Sequence, residues 1–298
     1  MPEVRTQIAS LVLAAGLGLP AVAGAVPIDV DGPTSGWLAI GYPGPAPDPP
    51  QDQIGNGSNI EGDIVGDASN PAFYTAFDDA GTSALTDDML GFRVRLGTDT
   101  ATAGLNRVVS VGIDANLDEA LDLFALVDNA GSNVLRLVNA GPGTNTSPAT
   151  TSVSSTGLSY PETAASYNWS PLILAIDPSA TTLDVDADGQ TDHFVSFAVS
   201  FQDVVNRLAL VGITGVDQNT QFRYVLGTST SATGPLNQDL AGPSGSTLQP
   251  LVWDDLGAMS LSYAAGAGAA PVPEPGTGLS LGLGLLFLAV ARRRRRAR

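Results

Sequence analysis

Short apolar segments recur along this chain, and each is cut off by Gly, Asn, Asp, Pro or Ser before it reaches helical length. That punctuation limits the fold more than any other feature. The segments are Trp37–Ile40, Phe92–Leu96, Val108–Ile113, Leu123–Val127, Val134–Val138, Leu172–Ile176, Phe194–Phe201, Leu208–Ile213, Phe222–Leu226 and Met259–Tyr263. Runs of this length bounded by turn residues read as strands. In the longest, Phe194, Ser196, Ala198 and Ser200 alternate with Val195, Phe197, Val199 and Phe201, a period of two with one face wholly apolar. No helical period is sustained beyond a turn or two near Gln202–Arg207. With 34 glycines and 21 prolines the chain suits many turns and not a helix bundle. The predicted fold is all-β, a jelly-roll-like β-sandwich with long loops.

One body over residues 26–263 is expected, since a chain that is 43% hydrophobic can fill a sizeable core. Two turn-rich stretches interrupt it. Gly41–Gly62 carries Pro43, Pro45, Pro47, Pro49 and Pro50, and proline gives no N–H to a ladder, so it reads as an irregular surface excursion. Gly141–Gly157 is almost wholly small or polar and reads as a long exposed loop. Ala264–Ala270 reads as a flexible Gly/Ala linker.

All 13 basic residues are arginines, against 25 Asp and 5 Glu, for a net charge of −17. Six of the arginines lie in the last seven residues. The body alone therefore carries about −22, a surface that repels nucleic acid and attracts cations. There is no cysteine, which excludes disulfides, thiolate catalysis and the Cys-containing zinc sites. The single histidine, His193, restricts imidazole chemistry to one position.

The two ends read as addresses. Residues 1–25 hold Arg5 near the start, an apolar stretch, and the small residues Ala23 and Ala25 in an A-x-A cleavage pattern, the signature of a signal peptide cut by signal peptidase. At the far end, Val272-Pro273-Glu274-Pro275 precedes an uncharged run over 276–291, followed by the arginine cluster over 292–298. Sixteen helical residues span about 24 Å, short of a ~30 Å hydrocarbon core, so a transmembrane helix here crosses with thinning or snorkelling. The arginines hold the tail on the cytoplasmic side and place the body outside the inner membrane.

In order, motif, apolar helix and arginine cluster resemble the PEP-CTERM sorting signal of Gram-negative bacteria, over residues 271–298. The resemblance implies an exosortase as processing partner, acting near Pro-Glu-Pro, with transient anchoring in the inner membrane and a destination at the cell surface or in an extracellular matrix.

Within the body the sharpest feature is Asp184-Val-Asp186-Ala-Asp188-Gly189-Gln190-Thr-Asp192. Aspartates on alternate residues of a tight turn bring hard oxygens to one point, as Ca²⁺ requires with its six to eight ligands at about 2.3–2.6 Å. The expected ligands are Asp184, Asp186, Asp188, the carbonyl of Gln190 and Asp192, with Gly189 free to take positive φ. A second copy runs Asp114, Asn116, Asp118, Ala120 and Asp122, with Glu119 in the glycine place. It is expected to bind more weakly or to take a different turn. Both loops lack the twelfth-position Glu of an EF-hand and resemble the Asp-rich calcium loops of integrin-type propellers and some bacterial surface proteins.

The sequence holds no nucleophile elbow, phosphate loop or dinucleotide fingerprint. The leading expectation is a non-enzymatic structural or adhesive surface protein. The alternative is an extracellular hydrolase or carbohydrate-binding module acting on polysaccharide, since a glycosidase needs only two carboxylates. Tyr160, Tyr167 and Trp169 would be the aromatic platform of such a module.

Overall fold

The computed structural model describes residues 27–43, 48, 62–82, 84–97, 104–234, 236–242 and 251–268. The expected signal peptide with Ala23 and Ala25, the motif Val272 to Pro275, the membrane helix and the arginine cluster lie outside these residues.

The strands are β1 (Leu38–Ala39), β2 (Phe73–Asp78), β3 (Met89–Leu96), β4 (Val108–Asp114), β5 (Leu123–Asp128), β6 (Val134–Ala140), β7 (Val153–Pro161), β8 (Tyr167–Pro171), β9 (His193–Ser200), β10 (Gln221–Ser229), β11 (Asp239–Leu240) and β12 (Tyr263–Ala264). Two helices, α1 (Phe201–Ala209) and α2 (Trp253–Leu256), complete the elements used here. Two antiparallel sheets result, ordered β1-β2-β3-β9-β8 and β11-β10-β4-β5-β6-β7, with β12 also pairing with β10. The all-β sandwich expected from the sequence is the fold observed.

The main core lies between the sheets. Leu90, Phe92, Val94 and Leu96 of β3 and Val195, Phe197 and Val199 of β9 meet Val109, Val111 and Ile113 of β4 and Tyr224 of β10. The period-two pattern explains this, because alternate side chains of a strand share one face. Both sheets also have covered outer faces. Trp253 and Met259 pack over Phe124, Leu126 and Val225 on one. Trp37 and Leu172 cover Tyr74 and Phe194 on the other.

Three expected strands take other forms. Leu172–Ile176 follows Pro171, which ends β8, and folds into a turn with the Ile176 and Asp177 N–H groups on the Ile173 carbonyl. Leu172 and Ile176 serve the outer cover instead of a sheet, while Ile173 and Leu174 are exposed. Leu208–Ile213 begins inside α1, where Phe201, Val204 and Leu208 form a buried helical stripe and Ser200 caps the start by accepting the Asp203 N–H. Of Met259–Tyr263 only the last residue joins a strand, with Met259 buried in the outer cluster and Ser260 bonded to Tyr224. Four strands were not expected: β2, β7, β8 and β11. The β7 strand starts at Val153, inside the stretch read as an exposed loop to Gly157.

Residues 264–267, which the sequence groups with the linker, hydrogen-bond to the body. The Ala265 N–H donates to the Thr220 carbonyl and the Gly266 N–H to the Gln218 carbonyl, while Ala265 is buried.

Candidate metal centre

The 184–192 loop closes onto the start of β9. Asp184 organises it: one carboxylate oxygen accepts the Asp188 N–H at 3.1 Å and the other the Gly189 N–H at 3.0 Å. Asp188 in turn accepts the Gln190 N–H at 2.7 Å. Positive φ at Ala187 (57°) and Gly189 (87°) turns the chain so tightly that side chains two apart point inward together. Carboxylate oxygens of Asp184, Asp186 and Asp188 consequently lie within 4.8 Å of one another, a group able to hold a metal ion. Asp186 is only 6% exposed, and its Oδ2 is buried with no hydrogen-bond partner.

Crowding the acids has the expected electrostatic effect. Burial, the adjoining Asp184 carboxyl and the nearby charge of Asp188 push the Asp186 carboxyl up to about 7. A divalent cation placed among the three carboxylates favours their ionised forms and offsets that cost.

Asp192, the ninth loop residue, stands apart from this group. Its carboxylate accepts the Val185 N–H at 3.3 and 3.2 Å, tying the loop's two ends together. It also pairs with Arg95 at 3.3 Å, and Arg95 reaches Asp177 at 2.6 Å. All three side chains are buried. Burial raises the Asp192 carboxyl to about 6 against the opposing pull of Arg95. Arg95 and Asp177 did not enter the ligand pattern read from the sequence. The available signal was Gly91-Phe-Arg93-Val-Arg95-Leu96, a strand with arginines on one face only.

The earlier loop has the same architecture. Asp114 accepts the N–H groups of Leu117 (2.7 Å), Asp118 (3.3 Å) and Glu119 (3.1 Å). Asp118 accepts the Ala120 N–H at 3.1 Å, and Asp122 accepts the Ala115 N–H at 2.9 Å, as Asp192 accepts Val185. Leu117 (63°) and Glu119 (70°) take the positive φ values of Ala187 and Gly189. The different turn expected from Glu119 is therefore not what forms: the three N–H bonds to Asp114 hold the same turn without glycine. The loops differ in their charges. Asn116 stands where Asp186 does, and its amide donates to Asp118 at 3.0 Å. Among the described residues, no converging group of three metal-binding side chains forms here. Burial raises Asp114, and pushes Asp122 to about 6.

The aromatics of the alternative reading are half-buried and pack against the main core. Tyr160 donates to Asp203 at 2.6 Å, Tyr167 accepts from Asn129 at 2.9 Å, and Trp169 stacks on His193 with ring centres 4.8 Å apart.

Residues 271–296 match the PEP-CTERM protein-sorting motif. The motif implies processing by an exosortase and export to the cell surface or extracellular space. No curated protein and no solved structure matches the chain.

Proposed function

We propose that this protein is a calcium-stabilised structural or adhesive component of the cell surface or extracellular matrix. In this reading signal peptidase frees the N-terminus after Ala25, the C-terminal helix holds the chain transiently in the inner membrane, and the exosortase then separates the body from its anchor. The observation that carries the calcium assignment is the buried, hydrogen-bond-free oxygen of Asp186, set among the carboxylates of Asp184 and Asp188. Hard carboxylate oxygens on an irregular loop suit Ca²⁺, whose coordination geometry varies, better than Mg²⁺, which demands near-ideal octahedral geometry. A strongly acidic body with its core already closed between two sheets suits a stable scaffold in a calcium-containing exterior.

Calcium titration of the exported body tests this. At free calcium of ~100 times the dissociation constant, linkage adds about 2.7 kcal/mol to stability. Asp186→Ala combined with Asp188→Ala is expected to remove most of that gain. Asp118→Ala is expected to remove little, because the 114–122 loop brings fewer carboxylates together. Identical melting curves in calcium and in chelator refute the assignment.

A further inference from the structure

The last described residues lie at one end of the sandwich, and that end has a distinct surface. Ala264 pairs with Gln221 at the start of β10, and Arg223 two residues on pairs with Asp114 at the end of β4. Gly268 lies beside the Phe77 N–H near the end of β2, and the Phe77 ring packs edge-on against Phe201, the first residue of α1. The amide of Asn139 bonds the carbonyls of both Asp122 and Arg207, bringing the 114–122 loop next to the end of α1. The last described residue, Gly268, therefore lies at the end of the sandwich formed by the 114–122 loop and the link between α1 and β10.

That end exposes Leu117 (45%), Leu210 (71%) and Val211 (49%). The same end carries the exposed acids Asp87 in the β2–β3 connection, Asp118 and Glu119 in the loop, and Asp217 in the link. Exposed apolar side chains set among charged ones are a feature of protein interfaces. An acidic end is a poor match for anionic lipid headgroups and a good one for a basic protein surface.

Chain length identifies the occupant. From Gly268 to Pro273 is five residues, at most about 18 Å when fully extended. Even a 100-residue domain has a radius of gyration of about 13 Å, so an enzyme that acts at Pro-Glu-Pro is broader than this gap and abuts the end of the body. We infer that this end of the sandwich, with Leu117, Leu210 and Val211 at its centre, is a docking surface for the exosortase, which meets it with an apolar patch rimmed by Lys or Arg. The body then helps present its own sorting motif, so recognition extends beyond the matched tail. This inference rests on the exosortase processing described above.

The test uses the full chain co-expressed with a tagged exosortase in a Gram-negative host, with pulse–chase measurement of C-terminal cleavage. Leu210→Arg and Leu117→Arg are expected to slow cleavage at least fivefold. Leu174→Arg is expected to leave it at the wild-type rate, since Leu174 is 62% exposed but lies in the turn beside the start of β9, at the opposite end. A photo-crosslinking residue at position 210 is expected to capture the tagged enzyme, and one at position 174 is not. Cleavage at full rate in both Leu210→Arg and Leu117→Arg, with position 210 crosslinking only to lipid, overturns the inference and leaves the sorting reading intact. A wild-type chain that stays uncut in the presence of the enzyme overturns both.

Discussion

Glu119 holds the same left-handed backbone as Gly189, with φ of 70° against 87°, at the sixth position of two loops that lie at opposite ends of the sandwich. For a residue with a Cβ this conformation costs roughly 1–2 kcal/mol. The cost is met by the Asp114 carboxylate, which accepts three successive N–H groups and fixes the turn.

Glu119→Gly is therefore expected to stabilise the body. The relief of strain is offset in part by the extra freedom of glycine in the unfolded chain, worth about 0.5–1 kcal/mol. A net gain of about 0.5–1 kcal/mol, or roughly 2 °C for a body of this size, is expected in a melting experiment in chelator. A loss of stability would show that the glutamate side chain contributes a contact that outweighs its backbone.

Arg95 links the candidate metal loop to the sheet, as the buried partner of both Asp177 and Asp192. Arg95→Ala leaves two buried carboxylates without their cation, and removing one partner of a buried pair costs about 3–5 kcal/mol. Arg95→Lys keeps the charge but loses the fork that reaches both acids, so its loss is expected to be smaller but clear. Denaturant unfolding of the two variants measures this. A change below about 1 kcal/mol in Arg95→Ala would mean that the loop is anchored by other contacts.

Asp88 supplies a pH test away from both loops. It is 3% exposed, and burial followed by the charges of Asp87, Asp79 and Asp78 raises its carboxyl above the usual 3.8. The folded state thus holds this proton more tightly than the unfolded state. The stability it contributes is complete below pH 3.8 and is lost as pH rises through the raised value. Asp88→Asn cannot ionise, so it is expected to melt higher than wild type at pH 7.5 and level with it at pH 3.5. An equal gain at both pH values would trace the effect to packing instead of charge.

These residues also show what a sequence can carry. The core strands are legible in it because Phe92, Val94 and Leu96, or Val195, Phe197 and Val199, leave a period-two trace. The β7 strand is not, because its Ser and Thr residues lie at a sheet edge where little burial is required, and Ser159 and Tyr160 look like loop residues until β6 pairs with them. Leu172–Ile176 misleads in the other direction: Leu172 and Ile176 take part in a cover, and composition does not distinguish a cover from a strand. In the candidate site, spacing brings out Asp184, Asp186 and Asp188, since local geometry alone makes them converge. It does not separate Asp192 from them, because the partner that draws Asp192 away, Arg95, comes from β3, far off in sequence. The turn at Glu119 was missed for a related reason: residue identity disfavours it, and the hydrogen bonds that impose it come from a side chain five positions earlier.

The sorting tail yields the prediction most independent of the body. Within residues 271–296 the motif is local, and in the proposed reading an extracytoplasmic enzyme acts at Pro-Glu-Pro while the arginines stay on the cytoplasmic side. Glu274→Ala removes the only charge in the motif, and deletion of Arg292–Arg298 removes the arginine cluster that the proposed reading assigns to stopping translocation. Neither change alters a residue of the sandwich, so both variants are expected to melt like the wild-type body while differing in destination. Mass spectrometry of the mature C-terminus, in a host with and without the exosortase, reads the result. Wild-type chains are expected to end near Pro275 only when the enzyme is present, and Glu274→Ala chains to keep Arg298 in both hosts. Wild-type chains that end at Arg298 in both hosts would reduce the tail to a simple anchor, and the same digest reports whether the N-terminus begins at Val26.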